Sequence, residues 1–103
     1  MIKVTAMYPY GEGKKFDLDY YCNVHIPMVQ TTLGTACKGI SVDAGLGGGA
    51  PGSKPAFVAM AHLLFDSIEA FQGSFVPHAG KFASDGPNYT DITPVVQISE
   101  VKL

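Results

Sequence analysis

The most constraining feature of the sequence is the apolar segment at residues 56–65, in which His62 is the only polar side chain. Successive residues of a strand point to opposite faces, so Phe57 and Phe65 share one face, while Met60 and His62 share the other. Both faces are mainly apolar, and such a strand is stable only when it is covered on both sides. The fold must therefore provide a layer on each face of this strand.

The rest of the chain supplies the elements of one domain. Its 103 residues offer enough apolar surface for one core and hardly for two, so we expect a single domain over residues 1–103. Alternation and helical spacing of apolar residues, with capping residues at helix starts, predict the remaining elements. In chain order they are a strand at 2–8, a helix at about 17–33, a strand at 36–46 and, after the apolar strand, a broken helix from Asp66–Ser67 to Phe82 and a strand at 94–103.

This order of elements, βαββαβ, predicts an α+β fold of the ferredoxin-like kind with a four-stranded antiparallel sheet. Two helices cover only one face of that sheet. The other face is predicted to carry an apolar group made of Met7, Val58, Met60, Leu64 and either Val95 or Val101. Since an exposed patch of this size is unusual, we expect a second copy to stack its sheet there as an isologous homodimer, with His62 at the interface.

Two local features interrupt the regular pattern. Pro27 lies inside the first predicted helix, where it removes a backbone hydrogen bond, so a bend is expected near His25. The glycine-rich segment at residues 45–55 resembles a phosphate-binding loop only in composition, because a strand follows it rather than a helix. We expect this segment to be the flexible tip of a hairpin.

Charge and cysteine content exclude several classes of protein. The net charge is −2, with seven lysines, no arginine and no run of one sign, so nucleic acid is an improbable partner and an anionic substrate is disfavoured. Cys22 and Cys37 have no metal-binding or redox spacing and are expected to be free, buried thiols. No secretion signal and no apolar run of roughly 20 residues is present, so we expect no membrane association and a cytoplasmic location.

Three segments resemble the EthD-like family, which is named for ethyl tert-butyl ether degradation. They are FDLDYYCNVHIP at 16–27, LLFDSIEAFQ at 63–72 and HAGKFASDGPNYTDITPVVQISEV at 78–101. The resemblance implies a dimeric α+β barrel. It also implies a link to ether catabolism beside a cytochrome-type oxygenase, or to cofactor-free dehydration, decarboxylation or oxidation of aromatic polyketides. Because one fold hosts many functions, these activities are expectations only.

His25, His78 and Asp85 match the family pattern and are the candidate catalytic residues. Imidazole exchanges protons near neutral pH, and a nearby carboxylate can orient it and stabilise its protonated form. Structural roles are the alternatives. His25 could satisfy backbone carbonyls loosened by Pro27, His78 could cap a helix or bond a loop, and Asp85 could close an Asx turn.

An aromatic cavity is expected beside these residues. Tyr8, Tyr21, Phe65, Asn88 and Tyr89 are the candidate substrate-binding residues. With Phe57 and Phe75 they would suit a flat, apolar, oxygenated molecule. The histidines lack metal-binding spacing, so we expect neither a metal nor an organic cofactor, although haem could be held by His25 or His78 above an open cleft.

Two classes of function are consistent with these features. The first is a small cofactor-independent enzyme, an oxidoreductase or a lyase, in which His25 acts as general acid or base with help from Asp85. The second is a non-catalytic dimer that binds a hydrophobic metabolite or supports a partner oxygenase. Loss of turnover with retained ligand affinity on changing His25 would separate them.

Overall fold

The computed structural model describes all 103 residues, which adopt an α+β fold. Its strands pair antiparallel in the order β2-β3-β1-β4, which confirms the predicted ferredoxin-like fold. The elements in chain order are β1 (Ile2–Pro9), α1 (residues 18–33), β2 (Gly39–Ala44), β3 (Phe57–Phe65), α2 (Ile68–Phe75), α3 (Ala79–Ser84) and β4 (Val95–Glu100).

Side-chain caps begin both main helices. The Asp17 carboxylate accepts a hydrogen bond of 3.1 Å from the backbone N–H of Tyr20 at the start of α1. The Ser67 hydroxyl accepts one of 3.0 Å from Ala70 at the start of α2. Each cap satisfies an N–H that has no partner within the helix, which is why these residues mark the helix starts.

Helix α1 contains a π-helical segment at Tyr21–His25, two residues before Pro27. Here the N–H of Ile26 bonds the carbonyl of Tyr21, one residue further back than in an α-helix. Pro27 cannot donate a hydrogen bond, and its ring would clash with the carbonyl of Asn23 in a regular helix. The wider turn relieves this clash, so the bend expected near His25 takes the form of a π segment.

The core lies between the sheet and the helices. On β3, Ala59, Ala61, Leu63 and Phe65 are all buried on the face that the helices cover, and Phe65 is fully enclosed. Side chains from α1, α2 and α3 pack on this face, including Val29, Leu33, Phe71 and Phe82. The pattern agrees with the face predicted for Phe65.

Strand β2 is shorter than the predicted 36–46. A 3₁₀ turn occupies Gly34–Ala36, and Gly34 adopts a left-handed φ of 60° that ends α1. At the other end, the hairpin connection begins at Gly45, where a Cβ would collide with the carbonyl oxygen of Phe57. Strand pairing is therefore limited to Gly39–Ala44.

The opposite face of the sheet has no cover within the chain. Met7 pairs with Met60 on β3 and with Val95 on β4, which places these three side chains together on the open face. His62 lies on this face as well, where it bonds Asp43 at 2.8 Å and Thr5 at 3.3 Å. Val95 is 52% exposed, so the open face retains apolar surface in contact with solvent.

Other sequence expectations concern the thiols and membrane spans. Both cysteines are free, but neither is fully buried, since Cys22 is exposed and Cys37 is half-buried. The expectation of buried thiols was therefore wrong, because Cys22 lies on the outer side of α1. No helix has both the length and the apolar character needed to cross a bilayer.

Candidate active site

The structure brings His25 and Asp85 into direct contact, although 60 residues separate them in the chain. His25 is the last residue of the π segment, and Asp85 follows the end of α3. The imidazole Nδ1 and the carboxylate Oδ2 are 2.9 Å apart, and the two side chains are only 7% and 17% exposed. Because the acceptor is a carboxylate, this hydrogen bond is charge-assisted and stronger than one between neutral groups.

Two further side chains hold Asp85 in place. The Tyr20 hydroxyl donates to Oδ1 at 2.8 Å, and the Asn88 amide donates to the same oxygen at 2.9 Å. Burial raises the pKa of the Asp85 carboxyl, but the hydrogen bonds from Asn88, His25 and Tyr20 outweigh it, so the net pKa is lowered. Asp85 is therefore a carboxylate at neutral pH.

Because Asp85 is ionised, it determines which ring nitrogen of a neutral His25 carries the hydrogen. A carboxylate can only accept hydrogen bonds, so Nδ1 carries the hydrogen of the neutral imidazole and Nε2 carries the lone pair. Nε2 makes no hydrogen bond within the protein, yet no fully enclosed side-chain nitrogen lacks a partner. His25 itself is one of the residues that line the main cavity.

The cavity lies between the sheet and helices α1 and α3 and has a volume of about 650 Å³. Fourteen of its 21 lining residues are hydrophobic, and none is a lysine or arginine. The apolar wall includes Ala61, Leu63, Phe75, Phe82, Ile92 and Val96. This volume is in the range of small-molecule sites, and the lining favours an apolar, uncharged ligand.

Three buried tyrosines form one wall of the cavity. We refer to Tyr8, Tyr21 and Tyr89 as the tyrosine cluster. The hydroxyls of Tyr8 and Tyr89 bond each other at 2.9 Å. The Tyr21 ring stacks on His25 at 5.3 Å between centroids, and the Tyr89 ring lies 4.6 Å from His25. Burial raises the pKa of Tyr21 and of Tyr89 well above the usual range, so both stay protonated.

Not all of the candidate residues meet at this cavity. His78 is exposed on the molecular surface, does not line the cavity and makes no side-chain cap. Phe65 packs against Phe71 in the core, and Phe57 also lies outside the cavity lining. Asn88 does not line the cavity and instead donates a hydrogen bond to Asp85. Tyr8, Tyr21 and Tyr89, with Phe75, line the cavity itself.

A shallow groove of about 320 Å³ lies on the outer side of Asp85. Val24, Met28, Lys81 and Ser84 line it together with Asp85 and Asn88. Asp85 thus lies between this groove and His25.

Tyr20 is a site residue that sequence reasoning did not single out. It stacks on Tyr89 at 6.2 Å while its hydroxyl bonds Asp85. The signal lay in the Tyr-Tyr-x-x-x-His element, where Tyr20 precedes Tyr21. Neighbouring residues of a helix point in different directions, so one tyrosine can line the cavity while the other orients the carboxylate.

The arrangement has the components of general acid–base catalysis. An imidazole lines an apolar cavity, a carboxylate held by three hydrogen bonds can support its charged form, and phenols lie nearby. No three His, Cys, Asp or Glu side chains come together as a metal site would require.

Fold and site together define a small ferredoxin-like α+β protein with a half-open, mainly apolar cavity and a histidine–aspartate pair. The EthD domain model matches residues 10–93, and the chain belongs to this family. No protein with a curated description matches the sequence significantly.

Solved structures of similar proteins agree with this assignment. An EthD-like protein from Ralstonia eutropha JMP134 is 51% identical, with a TM-score of 0.95 over 99% of this chain and 92% of its own. An ethyl tert-butyl ether degradation (EthD) family protein from Bacillus halodurans C-125 is 21% identical, with a TM-score of 0.69 over 99% of each chain. A Bordetella bronchiseptica protein, named as a proposed antibiotic biosynthesis monooxygenase, shares the fold at 10% identity and a TM-score of 0.62, over 99% of this chain and 97% of its own.

Proposed function

We propose that the protein is a cofactor-independent enzyme that performs general acid–base chemistry on an apolar, oxygenated small molecule. His25 is the base and conjugate acid, and Asp85 is the residue that orients it. The observation that carries the proposal is the hydrogen bond of 2.9 Å between these two side chains at the wall of a cavity of about 650 Å³. A structural histidine would not need an open Nε2 beside an apolar cavity.

The chemistry follows from the protonation states. Nε2 removes a proton from an acidic C–H or O–H of the substrate, and the Asp85 carboxylate stabilises the imidazolium that forms. The imidazolium then returns the proton, either to another atom of the substrate, which gives an isomerisation, or to a departing hydroxyl, which gives water and a lyase product. The same deprotonation can precede oxidation by dioxygen, as in a monooxygenase.

The second candidate function is binding without reaction. An apolar cavity of this size also suits a dimeric carrier of a hydrophobic metabolite or an accessory to a partner oxygenase. The open Nε2 favours the enzyme, because a carrier of apolar ligands has no use for a base held in one tautomer.

We also propose that the protein works as a homodimer through the open face of its sheet. Met7, Met60 and Val95 lie together there, and no element of the chain covers them. A second copy placed face to face would remove this apolar surface from water. Each subunit would carry its own His25–Asp85 pair, which lies on the helix-covered side of the sheet and not on the open face.

The test uses a panel of apolar ketones, phenols and β-hydroxy ketones incubated with the protein in D₂O and followed by NMR. Wild type should exchange an acidic hydrogen or convert at least one compound. His25→Ala should lower that rate by about 10²- to 10⁴-fold while ligand binding and the circular dichroism spectrum persist. His78→Ala is the matched comparison and should retain turnover, since His78 lies outside the cavity.

Binding of several compounds without exchange or conversion in any variant would instead establish the carrier. Equal rates in wild type and His25→Ala would remove His25 from the mechanism.

A further inference from the structure

The two oxygens of the Asp85 carboxylate have different partners. Oδ2 bonds Nδ1 of His25 at 2.9 Å. Oδ1 accepts two hydrogen bonds, from the Tyr20 hydroxyl at 2.8 Å and from the Asn88 amide at 2.9 Å. Each donor stabilises the negative charge on Oδ1, and a carboxylate stabilised in this way holds a proton less strongly. The donors on Oδ1 therefore weaken Asp85 as an acceptor toward His25.

Tyr20 is held in position independently of Asp85. Its backbone N–H bonds the capping carboxylate of Asp17 at 3.1 Å, and its ring stacks on that of Tyr89 with an angle of 23° between the planes. The hydrogen bond to Asp85 raises the pKa of the Tyr20 phenol, so the phenol stays protonated at neutral pH. Tyr20 is thus a fixed donor to Oδ1.

The rings that contact His25 carry no charge. Tyr21 stacks on the imidazole, and Tyr89 lies 4.6 Å from it between ring centroids. Burial raises the pKa of both phenols above the usual range, so neither ionises near neutral pH. Asp85 is therefore the charged group in direct contact with His25.

The other charged groups around the pair have partners of their own. Lys81 lines the groove on the outer side of Asp85, but its ammonium donates to the Thr32 hydroxyl at 3.3 Å. Asp91 lines the cavity with His25, and its carboxylate accepts the backbone N–H of Lys15 at 2.9 Å. Neither contacts the His25–Asp85 hydrogen bond, so the donors on Oδ1 are the groups that modulate it directly.

The strength of Asp85 as an acceptor matters for the proposed base. A carboxylate beside an imidazole stabilises the imidazolium, and a stronger acceptor makes the imidazolium hold its proton more tightly. General acid–base catalysis requires that the proton be taken and also given back, so it is most efficient when the base titrates near the working pH. An Asp85 without donors on Oδ1 would favour the imidazolium too strongly.

We propose that Tyr20 is a positioning residue that acts through Oδ1 of Asp85 to limit how tightly His25 holds a proton, with Asn88 as the second donor. This inference rests on the proposed function of His25. The transferred proton moves between the substrate and Nε2 of His25. Tyr20 and Asn88 keep their own hydrogens throughout.

The experiment follows the ring C–H signals of the histidines by NMR as pH is varied across the neutral range. The signal that is absent from His25→Ala identifies His25. Tyr20→Phe keeps the ring and removes the donor, so it should raise the titration midpoint of His25 by about half a pH unit. Asn88→Ala should act in the same direction, and the double variant should exceed either. Tyr10→Phe is the control, because the Tyr10 hydroxyl bonds Glu12 at another site.

His62 provides an internal check on folding. Its ring bonds Asp43 on the open face of the sheet, so an unchanged His62 titration shows that a variant retains the fold. An unchanged His25 midpoint in both Tyr20→Phe and Asn88→Ala would show that the donors on Oδ1 have no influence on the base. A lowered midpoint would show that the carboxylate has turned away from His25. Either result overturns the inference.

The pH dependence of hydrogen exchange of the ketone panel in D₂O separates this inference from the proposed function. The neutral imidazole is the active form, so a raised midpoint in Tyr20→Phe should move the acidic limb of the rate profile to higher pH by the same amount. If no compound exchanges, the proposed function fails, and the NMR titration alone decides the effect of Tyr20 on His25. Exchange that requires His25 but has the same midpoint and profile in Tyr20→Phe overturns only the inference.

Discussion

Asp85 connects the stability of the site to its chemistry. Its carboxylate accepts hydrogen bonds from His25, Tyr20 and Asn88, which lie on α1 and on the turn after α3. The charged form of Asp85 therefore joins two parts of the fold that are distant in sequence. It also binds Nδ1 of His25, which leaves Nε2 without a hydrogen-bond partner in the protein.

The pKa of Asp85 leads to a prediction about stability and pH. Because its pKa is lowered in the folded state, the carboxylate stabilises the fold above the pKa of the unfolded chain, about 4, and this contribution is lost as pH falls through the folded value. Asp85→Asn should lower the free energy of unfolding by about 1–2 kcal/mol at pH 7. The difference from wild type should shrink at pH 3. Urea denaturation at both values measures it.

Asp19→Asn is the matched control, since Asp19 is an exposed carboxylate on the same helix as His25. It should change stability little at either pH. A deficit in Asp85→Asn that is as large at pH 3 as at pH 7 would show that packing, and not charge, accounts for the effect.

The sequence was enough to name the candidate residues, but it could not predict which of them contact each other. His25 and Asp85 follow from the family pattern, but no local spacing relates residues that meet only after two helices have packed. Asn88 illustrates the difficulty. It was expected at the ligand, yet the 3₁₀ turn at Gly86–Asn88 directs its amide to Asp85.

At the scale of elements, the π segment of α1 holds two residues of the site, Tyr21 and His25. Tyr21 and His25 are the first and last residues of this segment, and their rings stack with an angle of 15° between the planes. π segments of this kind are frequent at functional sites. Pro27 is the residue in the chain that makes the regular helix unfavourable here.

Replacing Pro27 should therefore affect the site more than the fold. Pro27→Ala restores a backbone donor and permits a regular α-helix, so the free energy of unfolding should stay the same or rise. The turn at Tyr21–His25 would tighten, His25 would rotate relative to Asp85, and hydrogen exchange of the ketone panel in D₂O should fall at least about tenfold. Thermal denaturation and the exchange assay measure the two effects.

Gln30→Ala, on the exposed side of the same helix, should leave both quantities near wild type. Full exchange activity in Pro27→Ala would mean that packing against Tyr89, and not Pro27, maintains the π segment.

Element types followed from the sequence, but their irregularities did not. Alternation in β1 and β3 and the caps at Asp17 and Ser67 are local properties, so they could be predicted. The end of β2 depends on a close approach between Gly45 and the backbone of Phe57, which is a tertiary contact. The form of the bend before Pro27 likewise depends on which side chains pack beside it.

At the scale of the whole molecule, the open sheet face makes the oligomeric state testable. Met60→Lys introduces a charge at the centre of the proposed interface. In a monomer the new lysine can pair with Asp43, which lies opposite Met60 on the neighbouring strand β2. The dissociation constant of the dimer should rise at least about tenfold. Sedimentation velocity across a concentration series measures it.

Val24→Lys is the control, because Val24 is exposed on α1, away from the sheet. Monomeric Met60→Lys should keep its folded structure by circular dichroism, since Met60 does not line the cavity. A wild type that sediments as a monomer at every concentration would rule out the proposed dimer.

The shallow groove behind Asp85 has a consequence for engineering. Lys81 and Ser84 reach that groove, while neither lines the main cavity. Substitutions at these two positions can alter the electrostatic surroundings of Asp85 from outside without changing the shape that a ligand meets. The strength of the proposed base and the choice of ligand should thus be separately adjustable in this scaffold, which suits it to stepwise redesign.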